Sequence, residues 1–114
     1  MTPEQQKKAT FGRFETAEAA SANDQAFHGF IDTLAAAFPQ HRLTYGYIGN
    51  LTRHGDDRGY YVFTRYLSKE LRTSVSYWLG SFGHSILTED LKRKIQEWVA
   101  GLDEKVKKGV IEHP

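Results

Sequence analysis

Aromatic and arginine side chains recur at every second position in the middle of the chain. Tyr61, Phe63 and Arg65 are two residues apart, and Arg72 and Trp78 follow shortly after them. Because side chains two residues apart point to the same face of a β-strand, this spacing predicts rings and guanidinium groups on one sheet surface. Aromatic rings stack on unpaired nucleic-acid bases, and arginine binds phosphate in a bidentate manner. The pattern therefore predicts a nucleic-acid-binding face.

A polar loop ahead of these residues carries two further arginines. Arg53 and Arg58 enclose His54, Gly55, Asp56 and Asp57, and Gly59 follows Arg58. Glycine and aspartate are typical of turns, and loops held by rigid strands often carry binding residues. A lone histidine beside adjacent acids lacks the ligand spacing of a metal site. We expect a solvent-exposed binding loop and predict no metal.

No set of residues has the pattern of a catalytic site. The other four histidines are scattered, and none is placed with a serine and an aspartate as in a triad. The acidic residues have ordinary places in helix caps, turns and polar helix faces, and they balance the basic run at 92–94. We therefore predict a non-catalytic protein without a cofactor. The four histidines are His28, His41, His84 and His113.

Composition restricts the class of protein. The chain has 114 residues and no cysteine, which fits one domain with a single core and excludes disulfides and thiol catalysis. The first eight residues lack the apolar segment of a signal peptide, and no apolar run approaches the ~20 residues that span a bilayer. We expect a cytoplasmic protein that does not enter a membrane.

Positive charge is concentrated in the middle of the chain. Residues 42–72 contain six Lys or Arg against three Asp or Glu, a net charge of +3, whereas the whole chain has a net charge of +1. Five of those six basic residues are arginine, the residue best suited to planar contacts with phosphate. The distribution favours an anionic partner for the middle of the chain.

The stretch 43–82 predicts three antiparallel strands, at 43–53, 60–67 and 72–82. Tyr, Val, Ile, Thr, Phe and Trp are frequent in these runs, and turn residues separate them at 54–59 and 68–71. Turns of six and four residues predict that Tyr47 pairs with Tyr66 and Tyr61 with Trp78. Alternation then leaves the rings on an outer face. The opposite, core face is predicted to carry Leu43, Tyr45, Tyr47, Leu51, Tyr60, Val62, Tyr66, Val75, Tyr77 and Leu79.

An amphipathic helix is predicted on each side of the strands. Ser21 is the predicted cap of the first helix, and the alanine-rich run at 17–20 also favours an earlier start near Thr16. Thr88 is the predicted cap of the second helix, and Gly109 is its predicted end. The predicted apolar stripes are Phe27, Phe30, Ile31, Leu34 and Phe38 in the first helix, and Leu91, Ile95, Trp98, Val99, Leu102 and Val106 in the second.

These elements predict an α+β fold with two layers. The order is helix, three-stranded antiparallel sheet, helix (αβββα), with both helices on one sheet face. Residues 1–20 are predicted to be an N-terminal tether or a short edge strand, residues 21–109 a single α+β domain, and residues 110–114 a C-terminal tail. This order resembles that of double-stranded RNA-binding domains. The resemblance implies nucleic-acid contacts from the first helix, the loop between the first two strands and the start of the last helix.

Two functions remain open from the sequence. The first is nucleic-acid binding through Tyr61, Phe63, Arg65, Arg72 and Trp78, with Arg53 and Arg58 in the loop. The second is a small regulator or inhibitor that uses the same face for a protein partner or a homodimer, since an apolar sheet face is typical of interaction surfaces. Such a regulator would suit an accessory protein of a phage or mobile element. A further alternative is that Phe11 and Phe14 cover the rings.

Overall fold

Helices precede and follow an antiparallel sheet in the computed structural model of this chain, which describes residues 14–49, 58–81 and 86–114. The predicted mixed α+β class is confirmed, and a 3-10 turn at Pro39–His41 follows the first helix. None of the described helices is long and apolar enough to cross a membrane. The elements are α1 (Ala17–Ala37), β1 (Thr44–Ile48), β2 (Gly59–Ser68), β3 (Ser74–Gly80), α2 (Glu89–Ala100), α3 (Leu102–Lys107) and β4 (Ile111–Glu112).

Helix α1 begins earlier than its predicted cap. The Thr16 hydroxyl accepts a hydrogen bond from the Ala19 amide at 3.1 Å, and Ser21 lies inside the helix. The cap predicted at Ser21 is therefore wrong, whereas the alternative start near Thr16 is confirmed. The alanine-rich first turns explain the difference, because alanine has the highest helix propensity. The helix ends before Pro39, as predicted, since proline lacks the amide proton that a continuing helix requires.

The pairing of β1 with β2 differs from the predicted register. Tyr47 pairs with Tyr60 and Ile48 with Gly59, so the predicted pairing of Tyr47 with Tyr66 is wrong. The strand ends at Ile48, and residues 50–57, which include most of the predicted turn at 54–59, lie outside the described residues. Because the shift of six positions along β2 is even, every β1 side chain keeps its predicted face.

The pairing of β2 with β3 is as predicted in the middle and shifted at both ends, between Tyr60 and Tyr61 and between Phe63 and Leu67. Tyr61 pairs with Trp78, which confirms the register in the middle of the hairpin. Near the turn Leu67 pairs with Ser74, so its predicted pairing with Arg72 is wrong. The hairpin therefore contains an irregularity that turn length alone did not predict.

A bulge in β2 between Phe63 and Leu67 accounts for this shift. The Thr64 hydroxyl donates to the Val75 carbonyl at 2.7 Å and accepts from the Tyr66 amide at 3.1 Å. A side chain thus supplies bonds that the strand backbone would otherwise make. The extra residues on β2 leave Tyr66 buried on the core side.

The C-terminal residues belong to the sheet, in contrast to the predicted tail at 110–114. In β4, Ile111 pairs with Ser68 and Glu112 with Leu67. Since β3 occupies one side of β2, β4 lies on the same side of β2 as β1, farther along the strand. The side chain of Ile111 is buried, so this short strand also contributes to the core.

Both long helices contact the sheet on the face that carries Val62. The Phe27 ring of α1 stacks on Tyr45 with centroids 5.6 Å apart, and Trp98 of α2 contacts Tyr77 at 5.3 Å. Tyr45 and Tyr77 both pair with Val62, so the three side chains share one face of the pleated sheet. The core cluster contains Phe27, Ile31, Leu34, Leu43, Val62, Tyr66, Leu79, Ile95, Val99, Leu102 and Ile111.

Most of the predicted core face is buried or half-buried, and one residue is an exception. Tyr47, at the end of β1, is 53% exposed, so its predicted place in the core is wrong. Leu51 lies outside the described residues. Near the C-terminus, Thr88 caps α2 as predicted, by accepting from the Leu91 amide at 3.1 Å. The predicted single helix is broken at Gly101, a weak helix former, into α2 and α3.

Candidate functional site

Three aromatic rings lie together on the face of the sheet opposite the helices. Tyr61 and Phe63 flank Val62 in β2 and therefore point away from the core. Their rings stack with centroids 5.6 Å apart and an angle of 29° between their planes. Trp78, the cross-strand partner of Tyr61, has 56% of its surface exposed. We call this surface the outer face.

Glycines on adjacent strands provide the space for two of these rings. Gly59 has a φ of +154°, and a Cβ there would collide with the indole nitrogen of Trp78 and lie 2.9 Å from the Gly80 carbonyl oxygen. A Cβ at Gly46 would lie 3.0 Å from the Phe63 ring. The absence of side chains at these positions allows both rings to lie against the strand backbone.

An open depression beside the rings has an apolar and hydroxylated lining. Leu71 at its rim is 69% exposed, and Ile48 adds a second aliphatic group. None of its described lining residues is charged. The lining consists of Ile48, Tyr61, Phe63, Leu71, Thr73, Ser74 and Ser76.

The arginines predicted with the rings have different positions. Arg72 is exposed in the β2–β3 turn with a φ of +56°, and its sequence neighbours Leu71 and Thr73 line the depression. Arg65 is half-buried, and its Nε has no hydrogen-bond partner. Arg58 is exposed immediately before β2, whereas Arg53 lies outside the described residues. The structure thus groups the three rings, whereas Arg72 lines a separate depression with Leu67, Ser68, Lys69 and Glu112.

Several basic residues of the helices form ion pairs, whereas the two arginines predicted with the rings form none with the described residues. Four cations of α2 and its continuation each have a carboxylate one helical turn away. By contrast, the guanidinium groups of Arg65 and Arg72 form no ion pair with any described residue. The neutralised pairs are Lys92–Glu89, Arg93–Asp90, Lys94–Asp90 and Lys108–Glu104.

A second cluster of polar groups lies between α1 and β1. The Tyr45 hydroxyl donates to Asp24 Oδ1 at 2.9 Å, and His28 Nε2 lies 3.8 Å from Asp24 Oδ2. Burial, reinforced by the hydrogen bond and the charge of Asp24, raises the pKa of the Tyr45 phenol. Sequence reasoning missed this cluster, although the spacing of four between Asp24 and His28 places them on one helix face.

His41 and Tyr66 form a buried polar pair that sequence reasoning also missed. The His41 side chain is fully buried, and its Nδ1 lies 2.7 Å from the Tyr66 hydroxyl. Its Nε2 has no hydrogen-bond partner and lies 3.8 Å from Asp103 Oδ1. Burial lowers the pKa of His41 and raises that of Tyr66. Because a substrate has no access to this pair, its role is structural.

Phe14 does not cover the outer face. It lines a pocket with Phe27, Tyr45 and Tyr60 on the side of the helices. The other proposed cover, Phe11, lies outside the described residues, as do His54, Asp56 and Asp57 of the predicted binding loop. Within the described residues, no three His, Asp or Glu side chains gather in a way that could hold a metal ion.

Comparisons with known proteins assign no family. No protein-family model, curated protein or solved structure matches this chain.

Proposed function

We propose that this chain is a small non-catalytic domain that binds nucleic acid through the outer face of its sheet. The observation that carries the proposal is the set of three rings, Tyr61, Phe63 and Trp78, on a face that the described helices do not contact. Each ring that stacks on a base contributes ~1–3 kcal/mol to binding. An exposed indole beside two stacked rings suits this type of contact.

Two arginines without ion-pair partners among the described residues support an anionic ligand. Arg72 is exposed in the β2–β3 turn between Leu71 and Thr73, which line the depression, and its guanidinium has no acidic partner among the described residues. Arginine binds phosphate with two parallel N–H donors, and each phosphate contact releases counterions into solution. Binding through this face is therefore expected to weaken as salt increases.

The test is a fluorescence-anisotropy titration with labelled single-stranded and duplex oligonucleotides at low and moderate salt. We expect saturable binding at low salt and a loss of about tenfold in affinity for the double variant Arg65→Ala, Arg72→Ala. The matched control is Lys92→Ala with Lys94→Ala, which removes the same charge from a helix where both lysines are already paired. Absence of binding at low salt, or equal losses in the two double variants, contradicts the proposal.

A protein partner is the second candidate, and the aliphatic lining of the depression favours it. Leu71 is 69% exposed and Ile48 lies in the same depression. Aliphatic groups gain more from burial against another apolar surface than from contact with a base. In this case the chain is a regulator or inhibitor that buries the outer face against its partner or against a second copy.

A further inference from the structure

A pocket on the helix side of the sheet has features of a separate binding site. It lies between the N-terminal half of α1 and the ends of β1, β2 and β3. We call it the α1 pocket. Its cavity of about 20 Å³ holds one water-sized group. Its described lining includes four rings and three polar side chains: Phe14, Phe27, Tyr45, Tyr60, Asn23, Asp24 and Ser81.

The rings of the α1 pocket form a row of offset pairs. Phe27 and Tyr45 have centroids 5.6 Å apart with 4° between their planes, and Tyr45 and Tyr60 have centroids 5.5 Å apart with 12° between them. Near-parallel rings at these separations are displaced sideways, so each ring covers only part of its neighbour's face. The negative face of an aromatic ring attracts cations.

Among the described residues that line the α1 pocket, the one acidic or basic side chain is that of Asp24. No described lysine or arginine lies within 4.0 Å of the Asp24 carboxylate, whose contacts are the Tyr45 hydroxyl and the His28 ring. Burial also raises the pKa of both Tyr45 and Tyr60, which keeps the two phenols neutral near pH 7. A group that enters the pocket therefore meets negative potential from both the carboxylate and the rings.

Size and charge together select the class of ligand. An anion is repelled by Asp24, and a quaternary ammonium group exceeds a cavity that holds one water-sized group. A neutral hydroxyl fits but leaves the Asp24 carboxylate without a counter-charge. A primary ammonium group has the size of a water molecule, carries the required charge, and donates three hydrogen bonds. The Asp24 carboxylate and the Ser81 residue at the pocket edge offer acceptors.

We propose that the α1 pocket binds the primary ammonium group of an amine, either a lysine side chain of a partner or a small free alkylamine. The site does not depend on the outer face, since it lies on the other side of the sheet and uses different residues. Asp24 supplies the charge, and the ring row of Phe27, Tyr45 and Tyr60 supplies the cation-attracting walls.

The test is a titration of the full chain with n-butylammonium, followed by amide shifts in two-dimensional NMR at constant ionic strength near pH 7. We expect saturable shifts at Asn23, Asp24 and Tyr60 with a dissociation constant on the order of millimolar. n-Butanol, the neutral analogue, and tetramethylammonium, the bulky one, should each bind at least about tenfold more weakly. These two ligands test the charge and the size requirement on the unaltered protein.

Variants then test the role of the carboxylate. Asp24→Asn keeps the acceptor for Tyr45 and removes the charge, so we expect about a tenfold loss of affinity. Asp32→Asn, an exposed position on the same helix, is the matched control and should bind as the parent does. Tyr45→Phe keeps the ring and frees Asp24 Oδ1, so it should retain binding. The proposal is overturned if butanol binds as tightly as butylammonium, if the two Asp→Asn variants lose equal affinity, or if butylammonium does not saturate.

A second ligand distinguishes the source of the amine. Nα-acetyl-lysine methylamide presents the same ammonium group on a peptide backbone. Tighter binding than butylammonium supports a lysine of a protein partner, and equal or weaker binding supports a free alkylamine. Retention of amine binding in the Arg65→Ala, Arg72→Ala variant would also separate this site from the outer face.

Discussion

At the scale of single residues, His41 is held in a fully buried position with one of its two ring nitrogens hydrogen-bonded. Tyr66 satisfies Nδ1, while Nε2 faces the more distant Asp103 carboxylate. Burial of a charged ring without a second bond is unfavourable, and this explains why the pKa of His41 is lowered. The neutral imidazole is therefore the form that the folded protein stabilises.

This burial predicts a pH dependence of stability. The unfolded chain has the ordinary histidine pKa of 6.5, and the folded chain has a lower one. Between the folded pKa and 6.5 the unfolded state binds more protons than the folded state. The free energy of unfolding therefore declines as pH falls from about 6.5 towards the folded pKa, and His41 does not affect it above about pH 6.5. Urea unfolding at about pH 7.5 and about pH 5.5 measures the difference.

Substitution of the histidine checks the assignment. His41→Gln should lower stability at both pH values and remove most of the pH difference. The His28 side chain is 53% exposed, so His28→Gln should leave the stability difference between the two pH values unchanged. If the His41 variant retains the full pH difference, another group is responsible.

A pair of glycine substitutions tests the position of Trp78. Gly59→Ala puts a methyl group against the Trp78 indole at a positive φ and should destabilise the fold by about 1–3 kcal/mol while changing tryptophan fluorescence. Gly29→Ala in α1 meets nothing within 4 Å and should stabilise by about 0.5–1 kcal/mol. Urea unfolding gives both values. If Gly59→Ala changes neither the free energy of unfolding nor the fluorescence, the position of Trp78 does not depend on the glycine.

At the scale of elements, local signals predicted the helices well. The Thr88 cap and the glycine end at Gly109 each involve neighbouring residues, and both are found where the sequence placed them. The outer-face rings were also predictable, because alternation within β2 puts Tyr61 and Phe63 opposite Val62, and Trp78 pairs with Tyr61 as predicted. Strand alternation alone was sufficient for that part of the candidate site.

Other elements depend on contacts between distant residues and were not predictable locally. The bulge in β2 depends on the Thr64 hydroxyl meeting the Val75 carbonyl across the hairpin. The Asp24–Tyr45 bond joins a helix to a strand, and β4 exists because Ile111 reaches Ser68. A two-residue strand has no periodicity of its own, so only tertiary pairing defines it.

Neighbouring residues of the C-terminal segment provide a test of β4. Ile111 is buried in the core cluster, whereas Val110 is 52% exposed. Ile111→Ala should lower the free energy of unfolding by about 2–4 kcal/mol, because it removes buried methyl groups and leaves a cavity. Val110→Ala should change it by no more than about 0.5 kcal/mol. Equal small effects in urea unfolding would indicate that β4 does not contribute to the core.

At the scale of the whole molecule, the sheet separates two proposed sites of opposite charge preference. The two arginines assigned to the outer-face site, Arg65 and Arg72, have no acidic partner among the described residues, and the Asp24 carboxylate of the α1 pocket has no lysine or arginine partner among them. An anionic ligand and an ammonium group would thus bind on opposite sides of β2. The small net charge of +1 conceals this separation.

The small depression on the outer face predicts the oligomeric state. Stable interfaces involve about 20–30 residues on each partner, whereas the described lining of this depression has seven residues, three of them serine or threonine. We therefore expect a monomer of 13.0 kDa in sedimentation velocity at concentrations of roughly tens of micromolar. A dimer that Leu71→Ser dissociates would contradict this expectation and support the protein-binding function instead.

The position of β4 has a consequence for how the protein folds during synthesis. On one edge of β2, β1 pairs with the first half of the strand and β4 pairs with the second half. The second half therefore has no partner on this edge until Ile111 and Glu112 have been synthesised. Those residues follow every other element of the sheet and also close the core. Helix α1 and the β2–β3 hairpin can form while the chain is on the ribosome. The complete sheet can form only after residue 112 has left the exit tunnel.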